Sequence, residues 1–357
     1  CVLMGVFFNT LSIFIFRRMN RGKFSLAQYY LVILLICQIA LLCNCLLIYC
    51  VPTLMYGDTQ VKGLYSYVIL IAHALSGPSY VAITWIVLGL TIERYFALRK
   101  PLAHKALATA SRVKRILVGI LIAAFIFSIP RLFEYVPTTK CTNISTTTSS
   151  SPHNSTSCYL TLISTELLQN RTYWNVYHIW LAQIFVTVFP SLIIVGLTLR
   201  ISYFLHKAIR QRQSLHASGS IESRRSKNTK REHESNLLLI LVVVKLALSD
   251  PLPMAESVLG AAAPEDSPAT SALVVSAANF LVVLCCTINF LMFFASGRQF
   301  RREFRRIVRS IKGNANSSIR FESDGTWCSR TVDVSAISTD GSAKRSATVA
   351  TASALSG

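Results

Sequence analysis

Seven long apolar runs recur along this 357-residue chain, and they constrain its fold more than any other feature. A membrane-spanning helix needs about 20 mostly apolar residues, and most of the runs reach that length. The chain is 52% hydrophobic and only 15% charged, with a mean hydropathy of +0.47, as is typical of a membrane protein. The sequence therefore predicts an all-α membrane protein, a seven-transmembrane helix bundle. The runs fall at residues 1–16, 29–51, 65–97, 116–133, 176–205, 237–259 and 271–294.

The first run is shorter than the others. As a helix, residues 1–16 would rise only about 24 Å, against about 30 Å for the hydrocarbon core of a bilayer. The chain also begins with Cys rather than Met. We expect the sequence to begin inside the first span, so that an extracellular segment and any signal peptide would precede it.

The net charge of +20 raises the possibility of nucleic-acid binding, but the positions of the 36 Lys and Arg favour membrane topology instead. The basic clusters follow the first, third, fifth and seventh runs, all on one side of the predicted membrane. The positive-inside rule then predicts a multi-pass membrane protein with its N-terminus outside and its C-terminus in the cytoplasm. We expect its location to be the plasma membrane and predict no nucleic-acid partner. The clusters occupy residues 17–23, 99–115, 207–231 and 298–312.

Three glycosylation sequons agree with this orientation. They begin at Asn143, Asn154 and Asn170, and all lie in the loop that the charge pattern assigns to the outside. We predict a glycoprotein modified at these positions. A fourth sequon, at Asn316, lies on the cytoplasmic side and should stay unmodified.

Arginines alternate with apolar residues at helical spacing after the seventh run. The pattern predicts a short amphipathic helix at about 298–311 that lies along anionic membrane lipid; a basic tail without fixed structure is the alternative. Residues 1–312 are then the transmembrane domain, and residues 313–357, rich in Ser, Thr and Ala, are a disordered cytoplasmic tail. Its hydroxyls are candidate phosphate acceptors, although any solvated tail has this composition.

Glu93-Arg94-Tyr95 ends the third run, and Pro101 follows in the next loop. This string resembles the Glu/Asp-Arg-Tyr motif and second inner loop of rhodopsin-like (class A) G-protein-coupled receptors. The segments Pro130-Arg131-Leu132-Phe133-Glu134 and Thr165-Glu166-Leu167, with Asn170 and Tyr173 beyond, are similar to invertebrate FMRFamide-type neuropeptide receptors. The resemblance covers residues 5–311, everything except the tail.

Several positions depart from the pattern that the resemblance implies. Gln38 stands where the family has an aspartate that holds sodium, which puts an allosteric sodium ion in doubt. Phe290 and Phe293 replace the proline and tyrosine of the Asn-Pro-x-x-Tyr motif that begins at Asn289. Pro251 stands two residues before Pro253, where the family usually carries a tryptophan switch, and two prolines this close should distort the sixth helix strongly.

The sixth run contains Lys245 and Asp250, both costly inside a membrane unless paired or hydrated. In one interpretation Lys245 reaches the cytoplasmic surface, while Asp250 faces the interior and bonds Asn289 or water. In the other, Asp250 takes over part of the switch whose aspartate is missing at Gln38.

The usual disulfide of the family is ruled out because Ile69 stands where its third-span cysteine would be. Cys141 and Cys158 lie together in the outer loop and are candidates for a local disulfide. Cys50, at the outer end of the second span, is the other possible partner.

The resemblance implies an extracellular neuropeptide ligand, such as an amidated FMRFamide-like peptide, and signalling through a heterotrimeric G protein. An arrestin and a receptor kinase are possible partners of the tail. Coupling and activation would involve Glu93, Arg94, Tyr95, Asn289 and Asp250. In the resting state Arg94 would pair with Glu93, and the ligand would favour an arrangement in which the fifth and sixth spans open.

A peptide ending in Arg-Phe-amide needs an acid for its guanidinium and an aromatic wall for its ring. For each acid, an ordinary solvated loop charge is the alternative. The candidate acids are Glu134, Glu166 and Glu256, and the candidate walls are Tyr135, Tyr173, Trp174, Tyr177 and His178.

The sequence contains no catalytic constellation, phosphate loop or zinc signature, so we predict neither an enzyme nor a cofactor or metal site. His73 lies in an apolar run and is interpreted as a packing or hydrogen-bonding histidine. Three alternatives stay open: an orphan or decoy receptor, a receptor for a non-peptide ligand, and, from another class, a membrane transporter whose path is lined by Lys245, Asp250 and Gln38.

Overall fold

The computed structural model describes residues 1–19, 24–51, 59–100, 102, 104, 109–145, 154–215, 241 and 268–323. Apart from residue 241, the predicted sixth span at 237–259 lies outside this set. The predictions for Lys245, Asp250, Pro251 and Glu256 therefore lie outside the described residues, as do residues 324–357 of the predicted tail.

Four helices form the first half of the bundle: Val2–Met19, Leu26–Cys45, Thr59–Arg99 and Ala110–Phe127. The second continues as a π-helix, Leu46–Cys50. Its start is encoded locally, because the Ser25 amide donates to Gln28 Oε1 at 2.8 Å in a capping box. The fourth helix begins after Thr109, whose hydroxyl accepts from the Arg112 amide.

The fifth span begins with the short helices Glu166–Gln169 and Arg171–Tyr173. Two π-helical segments follow, Trp174–Leu181 and Gln183–Val188, and lead into the long helix Phe189–Leu215. The π-helical segments lie in the outer half of this span, and such segments often lie near functional sites.

The seventh span is formed by the helices Pro268–Thr287 and Asn289–Ser296, and Arg298–Ser323 follows as the last helix. The last helix therefore continues past the predicted boundary at 311–313. Residues Cys1–Arg306 form one compact unit, and a second begins at Ile307.

Within the described residues, five helices are long and apolar enough to cross a membrane. Large apolar side chains such as Phe7, Trp180 and Leu199 are exposed on their outer surfaces. Inside, Ile86 and Leu90 of the third helix are buried together with Ile201 of the fifth. An apolar outside and a packed inside are what a helix bundle in lipid requires.

A β-hairpin in the second outer loop is the part of the fold that the sequence did not predict. Strand β1, Tyr135–Ser145, pairs antiparallel with β2, Asn154–Ser164. Both strands are rich in threonine and other β-branched residues, which favour extended backbone. The Ser66 hydroxyl of the third helix donates to the Leu160 carbonyl at 3.1 Å, so the hairpin is held against the outer end of the bundle.

Cys141 in β1 is disulfide-bonded, and Cys158 lies directly opposite it in the strand register. Cys50, the alternative partner, carries a thiol.

Candidate functional site

At the outer end of the bundle, the predicted acid Glu134 is buried among the predicted aromatic residues. Glu134 is the last residue of the segment between the fourth helix and β1, and it is only 2% exposed. His178 Nε2 donates to Glu134 Oε1 at 2.9 Å, and the Tyr173 hydroxyl donates to the same oxygen at 3.0 Å. The structure thus brings together three of the predicted ligand-binding residues, with the acid already bonded to the other two.

The charge state of Glu134 follows from these contacts. Burial alone would raise the pKa of its carboxyl group. The hydrogen bond and charge of His178, the charge of Arg131 and the hydrogen bond from Tyr173 outweigh burial and lower the pKa below its ordinary value. Glu134 is therefore an ionised carboxylate inside the protein at neutral pH.

Aromatic stacking organises the residues around this carboxylate. The Trp174 ring stacks on His178 with 4.6 Å between centroids, and Tyr173 stacks on Tyr177 at 5.4 Å. The Tyr177 hydroxyl donates to the Phe127 carbonyl at 2.9 Å, which ties the fifth span to the end of the fourth helix. These contacts form a continuous aromatic wall at the start of the fifth span.

Backbone bonds from Thr165 fix Glu134 in position. The Thr165 amide donates to the Glu134 carbonyl at 2.9 Å, and its hydroxyl donates to the Phe133 carbonyl at 2.7 Å. The end of β2 is thereby joined to the residue just before β1, next to the buried carboxylate.

Two residues of this region were not predicted as site residues. His73 of the third helix meets the Tyr135 ring edge-on at 4.5 Å, next to the Glu134 cluster. Arg131 packs so closely on the third helix that a Cβ atom at Gly77 would lie 2.9 Å from its Cδ. The sequence signal for Arg131 was its place three residues before Glu134, whereas the contact of His73 joins segments far apart in the chain.

Of the other two predicted acids, Glu166 is exposed and is not part of this cluster, and Glu256 lies outside the described residues. Asn170, predicted as a glycosylation site, caps the helix Arg171–Tyr173 because its Oδ1 accepts from the Thr172 amide at 2.9 Å. The cap uses the oxygen, so the nitrogen that carries a glycan takes no part in it.

At the inner end of the third helix, Arg94 Nε lies 3.7 Å from Glu93 Oε2. His104, in the loop that follows, adds a second partner, because its Nε2 lies 3.2 Å from Glu93 Oε1. The Tyr95 hydroxyl accepts from Arg99 Nη1 at 2.6 Å. No sequence motif singled out His104 for this position.

In the middle of the bundle, amide side chains replace the carboxylate that the resemblance implies. Gln38 is fully buried, and its Oε1 accepts from Asn289 Nδ2. Asn289 Nδ2 and Asn9 Nδ2 also donate to the Cys286 carbonyl, at 2.9 and 3.1 Å. A sodium site needs oxygens that face the ion with compensating charge, but Gln38 is neutral and its oxygen is already bonded. These residues do not fit a bound sodium ion.

Two aromatic residues of the seventh span pack where the resemblance implies proline and tyrosine. Phe290 stacks on Phe8 with centroids 5.0 Å apart and meets Phe304 of the last helix at 5.6 Å. Phe293 meets Phe16 edge-on at 5.1 Å. The substitutions therefore join the first helix, the seventh span and the start of the last helix.

Comparison with known proteins identifies the family to which this helix bundle belongs. The family model described as 7 transmembrane receptor (rhodopsin family) matches residues 8–298. The chain is 24% identical to the FMRFamide receptor of Drosophila melanogaster, over 91% of this chain and 58% of that protein.

Two further relatives are also described as peptide receptors. Identity is 26% with the sex peptide receptor of Drosophila melanogaster, over 66% of this chain and 54% of that protein. It is 25% with the FMRFamide peptide receptor frpr-18 of Caenorhabditis elegans, over 38% of this chain and 31% of that protein. The chain thus spans little more than half the length of the two fly receptors. Because the family model matches most of its length, this chain belongs to the rhodopsin family of seven-transmembrane receptors.

Proposed function

We propose that this protein is a receptor for an extracellular amidated peptide of the FMRFamide type and that it signals through a heterotrimeric G protein. The observation that carries the proposal is the family match over residues 8–298, joined to relatives that are described as peptide receptors. The family consists of receptors rather than enzymes. Membership of this family gives no support to the transporter alternative.

The burial of Glu134 supports different roles for the predicted acids at the outer end of the bundle. Its Oε1 already accepts from His178 and Tyr173, so a peptide guanidinium would have to displace a protein donor to reach that atom. We therefore assign Glu134 to holding the aromatic wall in place. The exposed Glu166, and Glu256 near the predicted outer end of the sixth run, are then the acids that meet the arginine of the peptide.

The aromatic wall supplies the second half of the recognition. Trp174 and Tyr173 are partly exposed and present ring surfaces that suit the terminal phenylalanine of such a peptide, while the buried Tyr177 stacks on Tyr173 and supports it. Because π-helical turns form this stretch, a small change in their winding would rotate the wall relative to the helix Phe189–Leu215. Peptide binding at the wall would thus act on the fifth span.

At the cytoplasmic end, Arg94 is the residue proposed to contact the G protein. Its ion-pair distance to Glu93 supports a resting arrangement in which the acid restrains the guanidinium. Opening of the fifth and sixth spans would let Arg94 leave Glu93 and enter the G-protein interface. Asn289 and Asp250 are proposed to carry the change between the two ends.

The remaining proposals concern the extracellular and the cytoplasmic side of the receptor. We propose an extracellular N-terminus, glycans at Asn143, Asn154 and Asn170, and a cytoplasmic tail open to a receptor kinase and an arrestin. Arg302, Arg305 and Arg309 are exposed on the last helix, which supports its contact with anionic lipid.

A binding screen on whole cells tests the proposed ligand class. Cells that express the receptor are incubated with fluorescent peptides that end in Arg-Phe-amide, with matched free acids and with biogenic amines. Saturable binding of an amidated peptide that its free acid does not displace supports the proposal. Saturable binding of an amine alone would contradict it. Saturable peptide binding without G-protein activation would identify a decoy receptor, which the replacements at Gln38, Phe290 and Phe293 also allow.

A further inference from the structure

Trp85 of the third span is hydrogen-bonded to the backbone of the fifth span. Its indole Nε1 donates to the Phe185 carbonyl at 3.1 Å, and its ring meets Phe127 of the fourth helix edge-on with 5.9 Å between centroids. Trp85 lies nine residues before Arg94 on the same helix, a rise of about 13 Å from the inner end. An indole at that depth in a membrane is out of reach of water, so its N–H needs an acceptor within the protein.

The Phe185 carbonyl needs a donor because of the winding of the helix around it. Phe185 belongs to the π-helical segment Gln183–Val188, and a π-helical carbonyl accepts from the amide five residues later. The Phe189 amide accordingly donates to the Ile184 carbonyl. The next amide in this order would belong to Pro190, which has no N–H. The indole of the third span supplies the missing donor.

The same proline also affects the alternative, α-helical winding of this segment. In an α-helix, the amide of Pro190 would be due at the Val186 carbonyl, so that carbonyl would lose its donor. In the π-helical winding the carbonyl that loses its donor is that of Phe185, and the Trp85 indole bonds to it. An unpaired carbonyl inside a membrane is costly, so the indole favours the π-helical winding.

This winding sets the direction in which the outer half of the fifth span faces. A π-helical turn holds one residue more than an α-helical turn, and one residue corresponds to about 100° of rotation in an α-helix. Tyr177 of the aromatic wall precedes the segment Gln183–Val188 and packs on Phe127 with 5.9 Å between centroids. Phe127 is also the ring that Trp85 meets. The wall therefore keeps its direction only while the winding next to it is kept.

We propose that Trp85 is a positioning residue whose indole N–H holds the π-helical winding of the fifth span and thereby the direction of the aromatic wall. The effect on a ligand rests on the proposed peptide binding, whereas the role of the donor does not. Trp85 is not one of the residues assigned to the peptide. Loss of its N–H should therefore weaken peptide binding without removing a contact to the peptide.

Replacement of Trp85 by benzothienylalanine tests the donor alone, because sulfur takes the place of the indole N–H and the ring keeps its shape. Trp85→Phe is a second variant that also lacks the donor. In ligand-free receptor in lipid discs, the backbone amides of residues 186–194 should exchange with deuterium several-fold faster in both variants than in wild type. The same two replacements at Trp180, which lies in the preceding π-helical segment and is 63% exposed, are the controls and should leave amide exchange unchanged.

Pro190→Ala provides a rescue that a simple packing role for Trp85 does not predict. This change restores an N–H at position 190, so the fifth span no longer depends on the indole for a donor. Trp85→Phe should therefore speed amide exchange much less in the Pro190→Ala background than in wild type. Equal acceleration in both backgrounds would overturn the proposal, and so would unchanged exchange in the benzothienylalanine variant.

Binding of a fluorescent peptide that ends in Arg-Phe-amide separates failure of this inference from failure of the proposed function. Both Trp85 variants should bind the peptide several-fold more weakly than wild type and the Trp180 controls. Faster amide exchange with unchanged peptide affinity would overturn the positioning of the wall. If no form of the receptor binds the peptide, the proposed function fails, and the amide exchange alone decides whether Trp85 holds the winding.

Discussion

Glu134 illustrates how burial decides what a carboxylate can do. A solvated acid in an outer loop is available to a charged ligand, whereas Glu134 is enclosed and bonded to His178 and Tyr173. A buried charge that loses its partner is costly, so the three side chains stabilise one another. The carboxylate then sets the geometry of the surface that a ligand meets.

We predict that Glu134→Gln lowers receptor stability by about 2–3 kcal/mol at neutral pH, because charge-assisted hydrogen bonds are replaced by neutral ones. The lowered pKa of Glu134 stabilises the folded state above the unfolded pKa of about 4.3, and this stabilisation is lost as the pH falls towards the folded-state pKa. Thermal melts of the purified proteins should therefore differ at pH 6, and the difference should shrink as the pH falls below about 4.3.

Glu166→Gln, at an exposed acid of the same outer surface, is the control and should melt like wild type. A gap between Glu134→Gln and wild type that stays constant down to pH 3 would contradict an ionised, stabilising Glu134.

In the middle of the bundle, the amide oxygen of Gln38 accepts a hydrogen bond from Asn289. We predict that wild-type receptor melts at the same temperature in sodium chloride and in N-methylglucamine chloride. Gln38→Asp introduces the missing charge and should melt higher in sodium, whereas Gln38→Asn should not. A sodium-specific stabilisation of the wild-type protein would show that the amides do hold the ion.

Among the structural elements, the helices were predictable and the hairpin was not. Runs of apolar residues fix helices in a membrane because every backbone amide there must be bonded locally. The loop before the fifth span has no such constraint, and the pairing of β1 with β2 depends on contacts between residues far apart in sequence. Contacts between residues far apart in sequence also account for what was missed at the site. Glu134, Tyr173 and His178 were each predicted as site residues, but their hydrogen bonds to one another were not predicted. The contact of His73 with Tyr135 was not predicted either.

The hairpin also gives a prediction of its own. We infer that Cys141 is bonded to Cys158, because the two lie opposite each other in the strands. A disulfide that closes a loop of this size is worth about 3 kcal/mol, so Cys141→Ser and Cys158→Ser should each reduce stability and surface expression by similar amounts.

Peptide mapping by mass spectrometry without reduction should find the two cysteines in one linked fragment. Cys50→Ser is the control, since Cys50 carries a thiol, and it should leave stability unchanged. A linked fragment that joins Cys141 to any other cysteine would contradict the assignment.

For the whole molecule, two independent properties of the sequence predict the orientation in the membrane. Basic clusters mark one side, and the sequons at Asn143, Asn154 and Asn170 mark the other. Family membership establishes the seven-helix bundle, and the charges predict which end faces the cytoplasm.

We therefore predict that each Asn→Gln substitution at Asn143, Asn154 and Asn170 removes one glycan. Each change should appear as a step in gel mobility that glycosidase treatment abolishes. Asn316→Gln should leave the mobility unchanged, because the cytoplasm lacks the transferase for N-glycans. A glycan at Asn316 would reverse the proposed topology.

The most direct test of the proposed function is peptide-stimulated nucleotide exchange on heterotrimeric G proteins by the purified receptor in lipid discs. One peptide that ends in Arg-Phe is supplied either as the amide or as the free acid, with wild-type receptor and with Arg94→Gln. We predict that the amide accelerates exchange in wild type at least ten-fold more potently than the acid, and that Arg94→Gln binds the peptide but does not accelerate exchange. Equal potency of amide and acid, or full exchange by Arg94→Gln, would contradict the account.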